Sequence, residues 1–143
     1  MCTGFALLLP VSTFTPHYLE SVMGKIILLL EDQDITRRSL ATLLKAEGHQ
    51  VMVARNALEA QALCADLEPD VALVDIELPG LQGNEWALYL KDMSPETRII
   101  FVSGKSGLAG LDRYGPDVHF VHKPFDPQAL LKLIEETPEV THN

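Results

Sequence analysis

The 143-residue sequence predicts a doubly wound α/β fold: one five-stranded parallel sheet, order 2-1-3-4-5, with helices on both faces. Three observations lead there. From residue 25 onward, short apolar runs alternate with helix-period patterns. The first of these runs, Ile26–Leu30, is apolar at every position rather than at alternate ones, as in a strand buried on both faces. Successive strands are separated by helical patterns, which forces parallel pairing through right-handed crossovers. The length fits one domain, and 47% hydrophobic with 22% charged residues is globular composition. Disorder over most of the chain and repeat arrays are thereby excluded.

The first strand is Lys25–Leu30, continuously apolar after its lysine. A helix follows over Asp34–Glu47, with Asp34 as its N-cap, Gly48 as its stop, and Ile35, Leu40, Leu43 and Leu44 on its inner face. Gln50–Val53 is the second strand. Asn56 caps the second helix, and Glu59 three residues on completes a capping-box pattern. Its inner face is Ala57, Ala60, Leu63, Cys64 and Leu67, and Pro69 ends it. Asp70–Val74 is the third strand, and Leu78-Pro79-Gly80 reads as a tight turn. The third helix, Asn84–Lys91, carries Trp86 and Leu90 inward. Arg98–Val102 is the fourth strand. Lys105–Arg113 is a helix weakened by Gly107 and Gly110. Val118–Val121 is the fifth strand, and Asp126-Pro127 opens a last helix that runs to about Glu136.

The domain proper is expected over residues 23–137, with 138–143 a frayed tail. Residues 1–22 hold a single charged residue, Glu20, and are read as an extension outside the domain, with Met23 directly before it. Their apolar run, Phe5–Leu9, lacks the preceding Lys or Arg of a signal peptide and is broken by Pro10. No stretch reaches the ~20 apolar residues that span a bilayer, so no membrane association is expected. Twenty Asp and Glu against eleven Lys and Arg give a net charge of −9, which repels phosphate backbones and argues against nucleic acid as a partner. Two cysteines, Cys2 and Cys64, form no disulfide framework and point to a reducing, cytoplasmic setting.

In doubly wound sheets the working site lies at the carboxyl ends of the strands. There the first strand runs into Glu31-Asp32, the third into Asp75, the fourth into Ser103 and the fifth into Lys123. Three converging carboxylates repel one another, and one lysine cannot neutralise them. A divalent cation can, and hard oxygen ligands select Mg²⁺ or a similar ion such as Mn²⁺. His17, His49, His119, His122 and His142 show no ligand spacing, which argues against zinc and leaves them as structural or surface groups. A carboxylate beside a cation, a lysine and a hydroxyl has the parts for phosphoryl transfer to that carboxylate. Asp75 is the best nucleophile, since it ends the strand nearest the middle of the expected sheet.

Lys25–Asp32 (KIILLLED), Val71–Gly80 (VALVDIELPG), Ile99–Ser103 (IIFVS) and Phe120–Phe125 (FVHKPF) together resemble a bacterial response-regulator receiver domain of the single-domain, chemotaxis-regulator type. The resemblance covers about residues 24–136 with its motifs in order. It implies that Asp75 accepts a phosphoryl group from a histidine kinase or histidine phosphotransfer protein in two-component signalling, without being an enzyme apart from dephosphorylating itself. It implies that Glu31, Asp32, Asp75 and the backbone carbonyl of Glu77 hold Mg²⁺. Lys123 and Ser103 would contact the phosphoryl group, and Ser103 with Phe120 would form the switch. Glu77 and Lys105 occupy the positions that tune dephosphorylation and are expected to pair across the mouth of the site. The Lys123–Pro124 bond is expected to be cis.

Two features depart from the family pattern. The first acid is Glu31, and Gly104–Val118 looks short and glycine-rich. No output domain is expected after residue 137, so output would pass through protein contacts. The target is unspecified, and the face 105–136 could also pair two copies of the chain. Three rival readings use the same residues: a phosphorylation-independent pseudo-receiver, a receiver fragment of a hybrid sensor kinase, and a haloacid-dehalogenase-type phosphatase. The last would want Asp where Glu77 stands. A flavodoxin-like flavin binder shares the fold, but Glu31-Asp32-Gln33-Asp34 would repel its phosphate.

Overall fold

The computed structural model describes residues 24–75, 83–104 and 118–137. The elements there are β1 Ile26–Leu30, α1 Asp34–Ala46, β2 Gln50–Ala54, α2 Ala57–Asp66, β3 Val71–Asp75, α3 Gly83–Met93, β4 Arg98–Ser103, β5 Val118–His122 and α4 Pro127–Glu135. The expected turn at 78–80, the expected helix at 105–113, Glu77, Lys105, the extension 1–22 and the tail 138–143 lie outside the described residues.

The five strands form one parallel sheet in the order β2-β1-β3-β4-β5, as the sequence predicts. Strand residues alternate between two cores because successive side chains point to opposite faces. Leu28 and Leu30 of β1, Ala72 and Val74 of β3, and Ile99 and Phe101 of β4 face α2 and α3, meeting Ala57, Ala60, Trp86, Ala87 and Leu90. Ile27, Leu29, Val71, Leu73, Ile100 and Val102 face the other way, against Leu40, Ala41 and Leu44 of α1 and Leu130, Leu131 and Ile134 of α4. Every β3 residue is buried. Each large apolar side chain buried this way contributes about 1.5–3 kcal/mol, which is why these strands read as unbroken apolar runs.

The helix ends follow local chemistry. Asn56 Oδ1 accepts the Glu59 N–H at 2.9 Å, as a capping box requires. The reciprocal arm lands one residue early: Glu59 Oε1 accepts from Arg55 N–H at 2.8 Å rather than from Asn56. Asp126 Oδ1 caps α4 through Gln128 N–H, with Pro127 in the first turn. Helix α1 ends in a Schellman closure, with Gly48 N–H to Lys45 O and His49 N–H to Leu44 O. Gly48 has φ 95°, a conformation open to glycine at no steric cost. His49 is buried beyond it and accepts the Lys25 N–H on Nδ1 at 2.9 Å, tying the end of α1 to the start of β1.

Two expectations for α1 are corrected. Asp34 is not its N-cap: Gln33 holds that position without a side-chain cap, and Asp34 is the first helical residue. Its carboxylate is drawn away from the helix end by ion pairs with Arg37 and Arg38. Ile35 is not on the inner face: it is 82% exposed. The buried stripe is Arg37, Leu40, Ala41 and Leu44, spaced i, i+3, i+4, i+7, and Ile35 is out of phase with it.

Candidate functional site

The site forms where strand order reverses, between β1 and β3, at the carboxyl edge of the sheet. Glu31 is fixed by its N–H donating to Ala54 O at 3.0 Å, which extends the β1–β2 ladder by one residue. Its Oε2 accepts the Gln33 N–H at 3.1 Å. Asp75 is the last residue of β3, in register with Val102 of β4, and Ser103 is the next residue along β4. Lys123 follows β5, with its N–H donating to Ser103 O at 2.8 Å. The Lys123–Pro124 bond is cis, as expected.

These anchors bring the side chains together. One carboxylate oxygen from each of Glu31, Asp32 and Asp75 lies within 4.8 Å of the others. Among the described residues this is the one group of acidic, His or Cys side chains close enough to share a metal ion. Glu31 and Asp75 are 2% and 5% exposed, whereas Asp32 opens to solvent. Lys123 Nζ lies 3.3 Å from Glu31 Oε1 and 3.7 Å from Asp75 Oδ2, bridging the two buried acids. Burial pushes Glu31 above the usual carboxylate range, and Asp75 pushes it the same way, against the Gln33 N–H and Lys123. Three carboxylates against one ammonium are short of positive charge, and an all-oxygen donor set fits a hard divalent cation.

Ser103 is fully buried at the end of β4. Phe120 stands in register with Phe101, packs partly buried against the α2/α3 core, and places its ring edge-on to His122 with centroids 5.0 Å apart. The site residues Glu77 and Lys105 lie outside the described residues. One residue at the site escaped the sequence reading. Arg37 of α1 is buried, and its Nη1 donates to Glu31 O at 3.1 Å and to Asp32 O at 3.3 Å. The available signal was a charged residue in phase with an apolar stripe.

Fold and edge chemistry together define a doubly wound α/β domain whose acidic cluster has the composition of a cation site. The chain belongs to the response regulator receiver domain family, which matches residues 27–135. The phosphate regulon transcriptional regulatory protein PhoB of Pseudomonas aeruginosa is 32% identical over 120 residues, covering 80% of this chain and 52% of PhoB. Protein PilG of the same organism is 32% identical over 122 residues, 78% of this chain and 86% of PilG. The chain thus spans about half the length of PhoB and most of PilG. A CheY-like response regulator receiver domain protein from Methanospirillum hungatei superposes with a TM-score of 0.73 at 30% identity, over 79% of this chain and 92% of that one. Chemotaxis protein CheY4 of Vibrio cholerae, at 22% identity and a TM-score of 0.71 over 80% of this chain and 99% of its own, shares the fold. No helix among the described residues is long and apolar enough to cross a membrane.

Proposed function

We propose that this receiver domain accepts a phosphoryl group on Asp75 from a histidine kinase or histidine phosphotransfer protein in the cytoplasm and signals through protein contacts. The observation that carries the reading is the convergence of Glu31, Asp32 and Asp75 with Lys123 at one sheet edge, in a chain of the receiver family. Asp75 is buried at the end of the central strand, so its carboxylate is held in one orientation for attack. An Asp75 oxygen forms the new bond to phosphorus as the phosphorus–nitrogen bond of the donor's phosphohistidine breaks. The electron pair stays on the imidazole, which takes a proton from water.

Lys123 is the proposed partner of one equatorial phosphoryl oxygen, a role supported by its 3.7 Å distance from Asp75. The Ser103 hydroxyl is the proposed donor to a second. Glu31, Asp32, Asp75 and the Glu77 carbonyl are the proposed cation ligands, and bound Mg²⁺ or Mn²⁺ would supply charge neutralisation for the transferring group. Ser103 moving toward the phosphoryl group would free space for Phe120 to turn inward, changing the face 105–136 that a target protein or a second copy reads. Glu77 and Lys105 are proposed to restrict the approach of water and so slow loss of the phosphoryl group.

The test is incubation with acetyl phosphate and Mg²⁺, read by intact mass. The wild-type chain should gain one phosphoryl group and Asp75→Asn none. Equal uptake by both would move the acceptor elsewhere, and no uptake by the wild type would favour a phosphorylation-independent interaction module.

A further inference from the structure

The loop carrying two of the three carboxylates is held from behind by one side chain. Arg37 sits on the buried stripe of α1 with its guanidinium turned back toward residues 31–34. Nη1 donates to the consecutive carbonyls of Glu31 and Asp32, and Nη2 is ion-paired with Asp34. The Arg37 N–H also donates to Gln33 O at 2.9 Å, so the loop and the first turn of α1 are tied at two levels. The planar fork of a guanidinium can make these directed bonds at once, which an ammonium cannot.

The loop has reason to be held. The carboxylates of Glu31, Asp32 and Asp75 come within 4.8 Å of one another, and like charges at that range repel. Lys123 answers Glu31 and Asp75 from the front. Asp32 is exposed, so the direction of its carboxylate depends on where its backbone is fixed. Released from Arg37, the segment could relax by swinging Asp32 out into solvent, and the three oxygens would no longer be gathered before a cation arrives.

We infer that Arg37 is a positioning residue for the divalent-cation site: it pre-sets the backbone of Glu31 and Asp32 so that their carboxylates are already convergent. The inference rests on the reading of Glu31, Asp32 and Asp75 as cation ligands. Its sign separates it from simple electrostatics. Arg37 is a positive charge near a cation site, so removing it for charge reasons alone would tighten Mg²⁺ binding. Positioning requires the reverse, since loss of a group that orients ligands weakens metal binding by about 10- to 100-fold.

The experiment is calorimetric titration of Mg²⁺ into the full chain without phosphodonor, for the wild type, Arg37→Met, Arg37→Lys and Arg38→Ala, alongside urea unfolding. Arg38 pairs with the same Asp34 but is 79% exposed and serves as the charge control. The expected result is Arg37→Met weaker by about 10- to 100-fold and Arg38→Ala unchanged or tighter. An affinity in folded Arg37→Met equal to or tighter than wild type overturns the inference, even if stability falls. If Arg37→Met does not fold, Arg37→Lys decides: a loss of more than about threefold upholds positioning, and a smaller one overturns it. A wild-type chain that binds no Mg²⁺ removes the cation-site reading itself, whereas wild-type binding matched by Arg37→Met removes only the role of Arg37.

Discussion

Replacing Asp75 by Asn should stabilise the fold when no divalent cation is bound and lose that advantage when one is. The Asp75 carboxylate lies within 4.8 Å of oxygens on both Glu31 and Asp32. At an effective dielectric of about 20, repulsion from the buried Glu31 is at least about 3.5 kcal/mol, and that from the exposed Asp32 roughly half as much. Attraction to Lys123 at 3.7 Å offsets about 4–5 kcal/mol of this. The amide is nearly isosteric, so the difference, about 1 kcal/mol in favour of Asp75→Asn, should appear in urea unfolding with EDTA present. For a domain of this size that is about 4 °C in Tm. With Mg²⁺ at 100 times its Kd the wild type should gain about 2.7 kcal/mol while the variant gains much less, so the order reverses. A variant less stable than wild type in EDTA by 1 kcal/mol or more would refute the picture of an under-neutralised cluster.

Two further outcomes rest on titratable groups away from the site, the half-buried Cys64 and the buried His49. Burial pushes the Cys64 thiol from 9.0 up to about 11, with Glu68 adding to the shift. In a Cys2→Ser background it should therefore react with a disulfide reagent at pH 8 at least about 10-fold more slowly in the native state than in urea, the roughly 100-fold smaller thiolate fraction being partly offset by the greater nucleophilicity of a more basic thiolate, and equal rates would contradict the burial. His49 is held below its ordinary pKa by burial, against the raising effect of Glu135 and Glu47 and with Lys25. The unfolded chain then binds the extra proton first, so His49 stability is complete above about pH 6.5 and is lost as pH falls below it. His49→Asn keeps an acceptor for Lys25 N–H but cannot titrate. Its stability deficit against wild type should shrink by up to about 1.4 kcal/mol between pH 7.5 and 5.5, and a constant gap would exclude His49 as the source.

Both helix layers were legible because Ile26–Leu30, Val71–Val74 and Ile99–Val102 are apolar throughout, as strands covered on both faces are, whereas β2 and β5, at the edges of the sheet, carry polar residues such as Gln50 and His119. The site was legible for a related reason. Polar residues that end or directly follow buried runs inherit the register of those runs, as Glu31, Asp75 and Ser103 do, while Lys123 follows the half-buried β5 and is fixed by its N–H to Ser103 O. The start of α1 was misread because hydrophobicity was taken as the guide to burial. Ile35 is apolar and exposed, whereas Arg37 is charged and buried. The guanidinium can sit inside only because three oxygens of the neighbouring loop and helix accept its protons. Those oxygens include two main-chain carbonyls, and no residue type in the sequence reports where a carbonyl points.

The alternation of β1 and β3 between two cores gives this chain an uneven tolerance to mutation. Leu28 and Leu30 serve one face and Ile27 and Leu29 the other, and exchanging one apolar side chain for another of similar volume changes neither assignment. Deleting a single residue from β1 would turn every later side chain of the strand to the opposite face and carry Glu31 about 3.3 Å along the sheet edge, away from Asp75 and Lys123. The chain can therefore drift widely in which apolar residues it uses, but the number of residues in each of these strands is as constrained as the carboxylates they deliver.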